Sequence, residues 1–356
     1  MNLLTQVLRE PERLADLGAA EFFELAVQAD AAGLLGRIWH LAQREGIGLP
    51  DYASWHFSSA HKLAARQQAQ ALFELEELSG LFARLGIDWV VLKGAAYIAL
   101  QLPVAQGRTF ADIDILVPRK HLTLIERQLR MRHWVRSHVD DYDDHYYRQW
   151  MHEIPPLRHA RRGTILDVHH NILPLTNRSV PDVRQFELQC HQHPRLGPVH
   201  TLSDTDLCIH SAVHLFAEGE YQNGLRDLSD FQLLLQRFTA QDAGFVPRLL
   251  QRADTLGLLP YLQPALAECH RLLAAPVPEQ CLQPVARRNV VLAWAWRRIF
   301  TPSHSSCRLP GHWLAAFLLY CRGHFLRMPL YLLLPHLLKK AWRRRFDEAR
   351  TVGQRT

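Results

Sequence analysis

The sequence predicts an α+β protein, a small β-sheet set between helical regions. Apolar residues recur at helical spacing up to about residue 85, and again from about Ser203 to residue 300. Between these regions lie short runs with β-branched residues, Val90-Val91-Leu92 and Ile113-Asp114-Ile115-Leu116-Val117. Glycine and proline mark the joints. Four units follow: a helical region over 1–85, a sheet-bearing core over 86–200, a second helical region over 201–300, and a basic apolar tail over 301–356.

The N-terminal helices are read from Phe22, Phe23, Leu25, Ala26 and Ala29, and then from Leu34, Leu35, Ile38 and Leu41. Gly46-Ile47-Gly48-Leu49-Pro50 breaks the pattern. A long helix from about Ala53 to Leu85 carries the stripe Leu63, Ala64, Leu72, Leu75, Leu78, Leu81 and Phe82, and Gly86 ends it. Such a stripe reads as core.

The stretch from Trp89 to Pro118 reads as strand, turn, helix, loop and strand. Lys93-Gly94 closes the first strand, and Gly94 permits a sharp turn and close backbone approach to a ligand. A helix opens at Ala95. In the second strand, side chains two apart share a face, so Asp112 and Asp114 project together. Adjacent carboxylates repel unless a proton or a cation compensates. Hard oxygen ligands suit Mg²⁺ or Mn²⁺.

Beyond this stretch, His121 to Arg132 reads as an amphipathic helix and Trp134-Val135 as a short strand. Asp140 to Asp144 lacks the glycine and terminal glutamate of a calcium loop and reads as solvated. His152–Ala160 and Thr164–Ile172 read as strands around a turn at Arg161-Arg162-Gly163. Asp167 falls inside the second, where an isolated carboxylate is costly. It is either a hydrogen-bonded strand-end aspartate or a third carboxylate for the Asp112/Asp114 pair.

Residues 174–198 read as loop-rich, and His191 and His193, a possible metal pair without an obvious third ligand, read as part of a solvated loop. From Ser203 the chain is helical again. His210 and His214 are four apart but lack the glutamate of a metalloprotease helix, so they read as packing residues that line a cleft. Arg226 and Asp230 are spaced to pair on one helix face. Prolines punctuate helical hairpins over 245–300, and 301–311 reads as a linker. Trp313 to Leu338 is apolar and precedes Lys339-Lys340 and Arg343-Arg344-Arg345. This tail reads as a final helix pair with a solvated basic end, or as a membrane-surface element.

The pattern Leu92-Lys93-Gly94, then Arg108, then Asp112-Ile113-Asp114-Ile115-Leu116-Val117 resembles the uncharacterised nucleotidyltransferases of the DNA polymerase β superfamily. The resemblance runs from about residue 60 to 240 and includes Asp167-Val168-His169 and the helical stretch Leu207 to Leu235. The superfamily's usual Gly-Ser is here Lys93-Gly94-Ala95, a form typical of a Lys-Gly subfamily. The resemblance implies a small mixed sheet and transfer of a nucleoside monophosphate from an NTP to an acceptor hydroxyl, with release of pyrophosphate. It implies Asp112, Asp114 and Asp167 as metal ligands, with Asp167 also drawing the acceptor proton. It places Lys93, Gly94 and Arg108 at the phosphates. A non-catalytic nucleotide- or membrane-binding adaptor on the same fold is the alternative. The acceptor, whether a small molecule, a peptide or a protein, stays open.

Composition narrows the partners. From Arg287 onward there are fourteen Arg or Lys against two acids, a charge of +12, so a chain of net +6 is −6 elsewhere. A basic tail suggests an anionic partner, such as a membrane surface. Nucleic acid is the weaker expectation, because basic and aromatic residues do not interleave regularly and no zinc or helix-turn-helix motif occurs. The six cysteines are scattered without a CxxC pair, as expected of reduced thiols in a cytoplasmic protein. No apolar run reaches the ~18 residues of a membrane span. The N-terminus has neither the basic start nor the long apolar core of a secretory signal.

Overall fold

The computed structural model describes residues 1–136, 147–219, 221–282, 290–328 and 331. Its sheet has seven strands in the order β3-β4-β5-β2-β1-β7-β6. They are β1 (Val90–Val91), β2 (Asp112–Leu116), β3 (Trp134–Arg136), β4 (Leu157–His159), β5 (Ile165–His169), β6 (Leu188–His193) and β7 (Gly197–Leu202). The sheet is mixed: β2 runs parallel to β5 and β1 to β7, while β1 and β2 are antiparallel. With helices on both sides of it in sequence, the α+β expectation holds.

β2 lies inside the sheet, and its apolar residues explain why. Ile113 and Ile115 are at most 1% exposed and sit on the face opposite the aspartates. Each such side chain stabilises the fold by about 1.5–3 kcal/mol. That is enough to hold a strand whose other face carries like charges.

Residues 174–198 are not all loop. β6 and β7 form an antiparallel hairpin, with Gly197 in the left-handed region at φ 71°. His191 and His193 therefore lie on a strand. The sequence hides it because β6 is an edge strand, fully or partly exposed along its length, so polar residues suffice there.

Among the helices, α1 (Leu3–Arg9), α2 (Ala19–Ala31) and α3 (Leu35–Arg44) precede α4, which runs from Asp51 to Leu85 and stops at left-handed Gly86. The α4 stripe passes through Phe57, Ala64, Leu75, Leu78, Leu81 and Phe82. Leu63, expected on that stripe, is 51% exposed, and Phe23 of α2 also faces solvent. Glu74 of α4 is fully buried, where Arg162 Nε and Nη2 each donate to it at 2.6 Å. This pair ties the long helix to the β4–β5 turn.

Helices α5 (Lys93–Ala99) and α6 (Leu122–Arg130) belong to the sheet region. They are followed by α7 (Asp204–Ala217), α8 (Gly224–Gln241), α9 (Phe245–Thr255), α10 (Leu259–Leu273), α11 (Glu279–Leu282), α12 (Val290–Ile299) and α13 (His312–Arg327). The apolar tail forms α13, which packs on α12 and α7. The rest of the stretch to Leu338, the basic run from Lys339 to Arg345 and the acidic run Asp140 to Asp144 lie outside the described residues. Among the described residues, no helix is long and apolar enough to cross a membrane.

Candidate active site

The site begins with strand register. In the parallel pair β2–β5, Asp114 stands beside Asp167 and Asp112 beside Ile165. Alternation then puts Asp112, Asp114, Asp167 and His169 on one face. A cavity of about 480 Å³ opens on this face. Lys93, Gly94, Arg108, Asp112, Asp114 and Asp167 all line it, so the structure brings together every residue singled out from the sequence. His210 and His214 line the wall contributed by α7.

Asp114 is the most constrained of the carboxylates and is 3% exposed. Lys93 Nζ donates to its Oδ1 at 2.8 Å, and His169 Nε2 lies 2.9 Å from the same oxygen. Burial alone would raise the Asp114 pKa, but Lys93 and His169 outweigh it and hold the carboxyl well below its usual range. Burial likewise disfavours the Lys93 ammonium, but Asp114 and then Glu218 keep its pKa above the ordinary value.

Asp167 has the opposite environment. Its Oδ1 is buried with no hydrogen-bond partner. Burial, then the charges of Asp114 and Glu153, push its pKa up to about 8. Burial and Asp114 also raise that of Asp112. His210 and His214 are held neutral chiefly by burial, with the His214 pKa lowered to about 3.

The opposite wall belongs to Arg108. Its Nε donates to Asp230 of α8 at 2.6 Å, and Asp227 lies 3.9 Å from Nη2. Asp230 also accepts from Arg37 of α3 at 2.7 Å. The pair expected between Arg226 and Asp230 is absent. Arg226 turns to Asp227 at 2.9 Å, because Asp230 is already committed to the two buried arginines. The loop before Arg108 is pinned where Gly107 meets Gly36 of α3. A Cβ on Gly107 would lie 2.2 Å from the Gly36 carbonyl oxygen.

The turn after β1 also differs from expectation. The left-handed residue is Lys93, at φ 45°, rather than Gly94. This costs on the order of 1–2 kcal/mol for a residue with a Cβ. The same residue makes the half-buried ion pair with Asp114. Gly94 is required for space instead, since a Cβ there would sit 2.8 Å from the Phe110 ring and 3.0 Å from Arg108 Nη1. Arg108 in turn stacks on Phe110, 4.8 Å from the ring centroid.

Sequence reasoning missed the residues behind the carboxylates. Glu153 pairs with His169 through an isolated bridge, and its Oε2 lies 3.4 Å from His169 Nε2. His152, Glu153 and His169 each offer a ligand atom within 4.8 Å of the others. Their signal was the dipeptide His152-Glu153 at a predicted strand start, which no spacing rule links to His169. The donor set of the whole face fits a divalent cation: three oxygen-bearing side chains, one buried oxygen without a partner, and an ammonium already resting on Asp114.

A family model described as "Uncharacterised nucleotidyltransferase" matches residues 19–274. The chain belongs to this family. No curated protein matches it. Among solved structures, the chain is similar to an antigenic nucleotidyltransferase-like protein from Paracoccidioides brasiliensis, with 14% identity and a TM-score of 0.32 over 54% of this chain and 92% of that one. So loose a likeness assigns no residue roles. The family match spans the sheet, the cavity face and α8, and it stops before α11.

Proposed function

We propose that the protein transfers a nucleoside monophosphate from an NTP to an acceptor hydroxyl. The observation that carries this reading is the convergence of Asp112, Asp114 and Asp167 on one cavity face with Lys93, Gly94 and Arg108. In the proposed reaction the acceptor oxygen forms a bond to the α-phosphorus. The bond from that phosphorus to the bridging oxygen breaks, and pyrophosphate leaves with the electron pair.

Asp112, Asp114 and Asp167 would hold Mg²⁺ or Mn²⁺. When bound, such ions offset charge on the attacking and leaving oxygens. Arg108, fixed by Asp230 and pressed against Gly94, presents a rigid cation toward the phosphates. Lys93 neutralises Asp114 in the free protein and supplies a second positive charge beside the triphosphate. Asp167 takes up the acceptor proton, a role open to a carboxylate at the cavity face once a bound cation favours its ionised form.

The test is incubation of the full-length protein with each NTP labelled at the α-phosphate and with Mg²⁺ or Mn²⁺, with and without cell extract. A labelled acceptor and an equal amount of pyrophosphate are expected. The reading fails if no NTP gives transfer with either metal, or if Asp114→Asn transfers as well as wild type.

A further inference from the structure

The cavity wall includes a residue beyond the family match. Arg327, the last residue of α13, lines it. Three contacts hold this helix end in place. Gly323 lies so close to the loop after α7 that a Cβ would sit 2.6 Å from the Gly219 nitrogen. Arg322 donates to the Phe216 carbonyl, and the Thr176 hydroxyl donates to the carbonyl of Arg327 itself. A helix outside the family match thus delivers one side chain to the site.

Arg327 differs from the other cations of the cavity. Lys93 rests on Asp114, Arg108 on Asp230 and Arg226 on Asp227. The half-buried guanidinium of Arg327 has no carboxylate partner among the described residues. Glu218 lies 3.1 Å from His214, a neutral imidazole, and forms no ion pair with Arg327 among the described residues. Arg327 also stands apart from the phosphate-side arginines. Arg108 and Arg226 act on Asp112, whereas the charge of Arg327, like that of Lys93, acts on His152 and Glu218. A partly desolvated guanidinium presents a planar fork of donors that matches a carboxylate or a phosphate.

We infer that Arg327 receives an anionic group on the acceptor, so that the acceptor carries a carboxylate or a phosphate besides its reacting hydroxyl. This rests on the nucleotidyl-transfer reading. Its chemistry is a salt bridge between that group and a guanidinium of the cavity wall, and it places substrate choice in the tail rather than in the family core.

The full-length protein, saturated with Mg²⁺ and an unreactive α,β-methylene ATP, is titrated calorimetrically with inorganic phosphate and, separately, with acetate. Wild type should bind one of the two saturably, and the arm that responds distinguishes a phosphorylated from a carboxylated acceptor. Arg327→Gln should weaken that binding roughly tenfold or more, since a charged hydrogen-bonded pair is lost. The affinity for the ATP analogue should stay within about twofold, and Arg327→Lys should be intermediate for the anion. Equal melting temperatures of the variants show that α13 remains docked. The inference is overturned if wild type binds neither anion, if Arg327→Gln binds them equally well, or if analogue affinity falls together with anion affinity. If wild type does not bind the analogue, the nucleotidyl-transfer reading fails instead, and the same titration of the free protein still decides whether Arg327 holds an anion.

Discussion

The two walls of the cavity solve the problem of buried charge in opposite ways. On the Arg108 wall each cation rests on a carboxylate: Asp230 takes Arg37 and Arg108, and Asp227 takes Arg226, although Arg37 Nε has no hydrogen-bond partner. On the sheet wall three carboxylates face one ammonium, and an oxygen of Asp167 has no partner. The first arrangement fixes geometry. The second has a donor set that fits a divalent cation. The contrast is one of pairing: the arginines of one wall rest on carboxylates, while a carboxylate oxygen of the other has no partner.

The sharpest way to break this contrast is Asp114→Asn. Transfer should fall by about 10³-fold or more in single-turnover assays, because a ligand to charge-stabilising ions is lost. Nucleotide affinity should fall far less. The fold should survive, and an equal loss of stability and activity would show that Asp114 is merely structural.

On the other wall the expected ranking reverses. Asp230→Ala leaves Arg37 and Arg108 buried without their acceptor, so it should destabilise the protein by about 3–5 kcal/mol in urea denaturation. A loss under ~1 kcal/mol would mean that water replaces the carboxylate freely. Gly94→Ala probes the seam between the walls. Its methyl group meets the Phe110 ring, so the cost should be about 1–3 kcal/mol. Adding Phe110→Leu should recover part of this in the same assay, whereas strictly additive losses would count against the steric account.

A further test of the contrast concerns pH. The folded-state pKa of Asp167 is raised to about 8, above its unfolded value near 4. The associated stability is fully present below pH ~4 and is lost as pH rises through 8. With chelator present, Asp167→Asn should therefore gain stability relative to wild type between pH 5 and 9, at roughly 2–4 °C in Tm per kcal/mol. A difference that does not change with pH would sink the burial account.

Much of the sheet wall was legible in the sequence because it is local. The alternation in Asp112-Ile113-Asp114-Ile115 gives face and strand together, and Asp167 stands out as a charge in an apolar run. The arginine wall was not legible in this way. Arg108 meets Asp230 across 122 positions. A helix-spacing rule instead paired Asp230 with Arg226, its neighbour in sequence. Gly94 was assigned a turn that Lys93 makes, because the crowding by Phe110 exists only after folding. β6 was missed because edge strands need no apolar alternation, and Arg327 because nothing within α13 marks its tip as reaching the cavity.

The bridge from Arg37 to Asp230 also has a consequence for the order of events at the ribosome. The two residues are 193 positions apart. At ~5–20 residues per second, α3 emerges on the order of 10–40 s before its partner. Throughout that interval Arg37 can donate to the Val104 carbonyl but lacks the carboxylate that offsets its buried charge, so closure of α3 over the Arg108 loop is disfavoured. The sheet from β1 to β7 is synthesised before α8 and can assemble first. The cavity is therefore finished by a late step, when α8 delivers one carboxylate to two waiting arginines, and a nascent chain arrested before Asp230 should hold a formed sheet without a competent pocket.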